Sequence, residues 1–93
     1  MLSEREIKAI ARTAEKLGRE VGVAICCKNS KCTKEVRIGT RTSVRLPACE
    51  TLIHTHFVDP KPSRADIVNA KAAGVKKICI IHVPTRRMEC YDL

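Results

Sequence analysis

Apolar residues open the chain at helical spacing. Ile7, Ile10, Ala11, Ala14 and Leu17 fall on one face of a period of about 3.6 residues, with charged residues between them. Ser3 followed by Glu6 is a capping box, and Gly18 is a natural stop, so the pattern predicts a helix over 3–17. The pattern then changes period. Residues 21–27, VGVAICC, form a β-branched apolar run that predicts a strand. The polar KNSK at 28–31 predicts a turn, and 33–38, where Val36 and Ile38 alternate with charged neighbours, predicts the returning strand of a hairpin. A further strand is expected over 43–46, ended by Pro47.

TLIHTH at 51–56 reads as a strand that runs out into the loop FVDPKP, where Pro60 and Pro62 exclude helix. A second helix is expected from Ser63 to about Ala73, with Gly74 as its stop. KICIIHV at 77–83 has the uninterrupted apolar character of a buried strand, and 87–91 closes the chain as a short strand. Strands interleaved with two helices predict an α/β fold. It would be a single small domain over residues 1–93, with one mixed β-sheet packed with helices.

Charge changes this picture only in part. Eighteen Lys and Arg against ten Asp and Glu give +8, which favours an acidic partner. The aromatic residues are only Phe57 and Tyr91, so the stacking platforms of a single-strand nucleic-acid binder are missing. No apolar run is long enough to span a membrane, and the charged N-terminus is unlike a secretory signal, so a cytoplasmic protein is expected.

The six cysteines, at 26, 27, 32, 49, 79 and 90, form no CxxC pair, which excludes a zinc ribbon or thioredoxin motif. In an ordinary cytosol they read as small core residues. The alternative starts from the absence of Gln and the presence of only two Asn, a thermophile trait that goes with intracellular disulfides. On that reading Cys27 and Cys32 would close the hairpin turn.

The candidate chemistry lies at His54 and His56. Residues two apart on a strand project from one face, so both imidazoles can converge on one ion. Asp66, in the first turn of the second helix, supplies a third ligand. Two His and one carboxylate are the protein ligands of a catalytic zinc site with its fourth position open. Ser63 with Asp66 is also a capping box that needs no metal to explain it. His82, in the buried strand, reads as structural.

The string LIHTHFVDPKPSRADI resembles the core motif of the JAMM (MPN+, Mov34) metalloproteases, in their small prokaryotic form: H-x-H, a loop, S-x-x-D, and a Glu well upstream. The loop here has six residues, one fewer than the family pattern, and Phe57 stands where the family usually has Pro. The resemblance implies a JAMM/MPN-like fold related to that of the cytidine deaminases. It implies Zn2+ held by His54, His56 and Asp66, Ser63 as oxyanion donor, and an upstream Glu as general acid-base. Glu20, followed by Val21 and Gly22, is the better match for that Glu, and Glu35 the second. It implies a zinc-dependent peptidase or isopeptidase. The substrate would be the C-terminal tail of a small ubiquitin-like or sulfur-carrier protein, an extended segment that can pair with a sheet edge. Two other readings compete with it: a nucleic-acid-associated module like the RadC branch of the superfamily, and a non-catalytic MPN scaffold. A zinc deaminase is excluded, because the chain lacks H-x-E and P-C-x-x-C. Oligomeric state is not fixed by the sequence, although exposed strand edges would allow a homodimer.

Overall fold

The computed structural model describes all 93 residues. Helix α1, Glu4–Leu17, starts at Ser3, whose hydroxyl accepts from the Glu6 amide while the Glu6 carboxylate accepts from the Ser3 amide. It ends at Gly18, which takes the left-handed conformation that releases the chain toward the sheet. Strands β1, Val21–Lys28, and β2, Lys31–Ile38, form a hairpin. Its turn residues Asn29 and Ser30 both have positive φ, the twist that matches a two-residue hairpin. Strand β3, Thr51–His56, is followed by α2, Arg64–Ala72, then β4, Lys77–His82, and β5, Arg87–Asp92.

The sheet order is β2-β1-β3-β4-β5. Only β3 and β4 are parallel, joined by the α2 crossover; the other neighbours are antiparallel. Side chains alternate between two layers. Val23, Ile25, Ile53, Cys79 and Ile81 pack with Ala11 of α1 on one face. Ile78 and the partly buried Leu52 pack with Ala70 of α2 and Val75 on the other. The central strands are buried on both faces, which is why β4 carries no polar residue between Ile78 and Ile81. The expected α/β architecture with a mixed sheet is therefore what the chain adopts. No helix is long and apolar enough to cross a membrane.

Two expectations are corrected. Residues 43–46 are not a strand; the chain from Gly39 to Glu50 is irregular. Both edges of β1 are taken, by β2 and by β3, so the sheet offers this segment no place beside β1. Its alternating apolar residues cover a sheet face instead: a Cβ added to Gly22 would lie 2.9 Å from the Leu46 methyls. The cysteines are also not free core thiols. All six are paired, as Cys26–Cys49, Cys27–Cys32 and Cys79–Cys90. The hairpin bond matches the alternative reading of the sequence. The register explains two of the bonds, because Cys27 lies directly opposite Cys32 and Cys79 opposite Cys90, with Cα atoms 4.0 Å apart in each pair. The third bond fastens Cys49, two residues before β3, to Cys26 near the end of β1.

Candidate metal centre

Alternation along β3 sends Ile53 and Thr55 toward α1, and sends Leu52, His54 and His56 to the α2 face. The two imidazoles meet there, with their Nε2 atoms 3.0 Å apart. The six-residue loop after His56 is long enough to return α2 to the same place. Asp66 Oδ2 lies 3.4 Å from His54 Nε2 and 3.4 Å from His56 Nε2. His54, His56 and Asp66 therefore form one group that could hold a metal ion, with three potential ligand atoms converging on one point.

Neighbouring groups orient these side chains. The Asp59 carbonyl lies 2.9 Å from His56 Nδ1 and accepts its N–H, which fixes the ring with Nε2 aimed at the centre. Ser63 is the N-cap of α2. Its amide donates to Asp66 Oδ2 at 2.8 Å, and its hydroxyl oxygen accepts from the Asp66 amide at 3.1 Å. The helix cap thus holds the aspartate in place, and capping leaves Asp66 within the group. The Ser63 hydroxyl proton is not used in these bonds.

Electrostatics follow from the geometry. Burial by itself would raise the Asp66 carboxyl. The hydrogen bonds from His54, His56 and the Ser63 amide outweigh it and hold Asp66 well below the usual carboxylate range. Its hydrogen bond to His56, opposed by burial and aided by the Asp59 carbonyl, raises the His56 pKa above the ordinary value. Without an ion, the Asp66 carboxylate lies between the two imidazoles, 3.4 Å from each Nε2.

Glu20, the residue before β1, reaches the same cleft. Gly22 lies opposite His54 in the β1–β3 ladder, and Glu20, two residues earlier, projects to the same face. Its backbone is tied on both sides to the irregular segment, by Glu20 N to the Thr40 carbonyl and Gly39 N to the Glu20 carbonyl. The carboxyl is buried, and that desolvation raises its pKa against the lowering effect of the two histidines. Glu35, the second candidate, sits on the exposed edge strand β2 and pairs with Arg37, away from the cleft.

The cleft holds about 310 Å³ and is lined by Glu20, His54, His56, Ser63 and Asp66. All five residues singled out from the sequence are therefore together. Thr42, Ser43 and Asn69 also line it and went unnoticed in the sequence. Asn69 was within reach of sequence reasoning, since it is one helical turn beyond Asp66. Thr42 and Ser43 carried no signal, because a non-repetitive segment places them. His82 stays outside the group. Its Nε2 bonds the Val58 carbonyl at 2.9 Å and its Nδ1 the Thr85 hydroxyl at 3.0 Å, so it pins the loop after β3, in keeping with a structural role.

No protein-family model, no curated protein and no solved structure matches this chain.

Proposed function

We propose that this chain is a zinc-dependent amide hydrolase of the JAMM type. The observation that carries the proposal is the convergence of His54, His56 and Asp66 in one cleft with a buried carboxyl, Glu20, and a serine hydroxyl with a free proton, Ser63. The donor set fits zinc. A tetrahedral ion with bonds of about 2.0–2.1 Å separates its ligands by roughly 3.3 Å. The Nε2–Nε2 and Nε2–Oδ2 separations here are 3.0 and 3.4 Å. When bound, zinc would supply Lewis-acid polarisation and a water made acidic near neutral pH.

The chain's own residues do the rest. Glu20 takes a proton from the attacking water at its carboxylate and delivers it to the departing amine nitrogen. Its raised pKa makes it a better base than an exposed glutamate. Ser63 donates its hydroxyl proton to the substrate carbonyl oxygen as that atom gains negative charge. Asp59 and the α2 cap keep the ligands from rotating away. The hollow beside the cleft is lined by Arg19, Arg37 and Arg45, which with the net charge of +8 suits an acidic substrate. An acidic ubiquitin-like or sulfur-carrier protein, cut at its extended C-terminal tail, meets that requirement.

The test is metal content by mass spectrometry, followed by cleavage of fusions carrying such a tail. About one zinc per chain, absent from His54→Ala/His56→Ala, with cleavage that a chelator abolishes, is the expected result. Equal cleavage by the chelated protein would refute the reading. Zinc without cleavage of any fusion would leave the scaffold reading in its place. The RadC-like reading would take over if the protein holds no zinc and binds DNA with a steep salt dependence.

A further inference from the structure

The polar cleft continues into a second hollow of different character. Val44, His54, Asp66 and Asn69 line both, so the two are one groove. In the first part Val44 is the only apolar wall. In the second, Leu46, Leu52 and Ile78 form walls, and Ala48, Ala70 and Ala73 line the rest. Its volume is about 220 Å³. A dry apolar cavity of about 150 Å³ already admits a benzene ring, so this one has room for an aliphatic side chain.

Three features argue against an ordinary packing gap. Folded interiors leave few voids larger than a water molecule, yet here three alanines stand where larger side chains would close the space. Ala48 and Ala73 are exposed, so the hollow opens to solvent and can be filled from outside. The wall opposite α2 is also held in position. Leu46 sits over Gly22, where any side chain would displace it, and Cys49, three residues on, is bonded to Cys26.

We infer that this hollow is a side-chain pocket that takes an aliphatic residue flanking the scissile amide of the substrate. The inference rests on the hydrolase reading and extends it to substrate class. The same two side chains, His54 and Asp66, line the pocket and form the centre. A chain bound at the centre therefore presents its neighbouring side chain to the apolar wall. A charged residue there would give up part of its hydration against Leu46, Leu52 and Ile78, which offer it no hydrogen bond.

The test uses binding rather than turnover. The zinc-loaded full chain is titrated calorimetrically with acetohydroxamate and with isocaproyl hydroxamate, which share a chelating head and differ in an aliphatic tail. Burial of the tail should make the second bind at least about tenfold more tightly, the scale of methylene discrimination in an apolar pocket. Ala73→Phe fills the mouth from an exposed position, and Ala48→Phe does so from the other wall. Each should bring the two affinities to within about twofold, with helix content and zinc content checked alongside. Equal affinities in the unaltered chain would overturn the pocket while leaving the hydrolase reading standing. Failure of both hydroxamates to bind the zinc-loaded chain would refute the hydrolase reading, and the pocket with it.

Discussion

Removal of the Cys26–Cys49 bond by the double replacement Cys26→Ala/Cys49→Ala tests how the cleft is held together. The bond closes a loop of 23 residues that contains the whole β1–β2 hairpin turn, β2 and the irregular segment with Ser43, Val44 and Leu46. By the chain-entropy relation, a loop of that length stabilises the folded state by roughly 3 kcal/mol. For a chain of this size, each kcal/mol moves the melting temperature by about 4–8 °C, so the loss should be roughly 12–24 °C. Cys49 is buried at 6% exposure, so lost sulfur packing adds to the effect rather than offsetting it. The assay is thermal unfolding by circular dichroism, with a thiol titration to show that the unaltered chain has no free cysteine. A second readout is functional. Loosening the wall that carries Leu46 should weaken isocaproyl hydroxamate binding more than zinc binding, because His54, His56 and Asp66 all lie outside the loop. A melting temperature within about 2 °C of the unaltered chain would refute the reasoning, since it would mean that the bond restrains nothing the rest of the fold does not.

Other outcomes follow from the site. On the proposed reading Asp66 is the anionic ligand, and Asp66→Asn should abolish stoichiometric zinc by mass spectrometry; retention of one zinc per chain would exclude Asp66 as a ligand. Glu20→Gln should keep the zinc and lower kcat/KM by about 10²–10⁴-fold, the usual contribution of a general acid-base. Full activity in that variant would remove Glu20 from the mechanism. Ser63→Ala should destabilise the protein by about 1 kcal/mol through loss of the helix cap, and should lower kcat by about 10²–10³ through loss of the oxyanion donor. A stability loss without the rate loss would leave Ser63 only its capping role. In the metal-free protein the hydrogen bond with Asp66 raises the His56 pKa above 6.5. That stabilisation is complete below the unfolded value and is lost as pH rises through the folded one. The melting temperature of the chelated protein should therefore fall as pH rises above about 6.5, while that of the zinc-loaded protein holds, because a bound ion would prefer deprotonated ligands. Parallel profiles for the two forms would rule out the pair.

The parts of the fold legible in the sequence are those set by local rules. The Ser3–Glu6 cap, the apolar face of α1 and the stop at Gly18 act within a few residues of one another, and α1 forms where they predict. The hairpin follows from a β-branched run, a polar turn and an alternating return. His54 and His56 share a face because of strand alternation alone, and Asp66 lies in the first turn of a helix whose cap can be read from Ser63.

Tertiary structure decided the rest. The family resemblance favours Glu20 over Glu35 for its Glu-Val-Gly setting, but what carries that carboxyl into the cleft is the pairing of β1 with β3 so that Gly22 faces His54. Val44 and Leu46 alternate like strand residues, but β1 already has a partner on each edge, so they line a groove instead. The cysteines looked like core residues because burial and pairing leave the same trace in a single sequence, and only the register puts Cys27 opposite Cys32 and Cys79 opposite Cys90. Residue spacing and period are local quantities and can be read along the chain. The choice of strand partner is a competition among all strands at once, and in this protein it decides which carboxyl, which wall and which sulfur pairs surround the histidines.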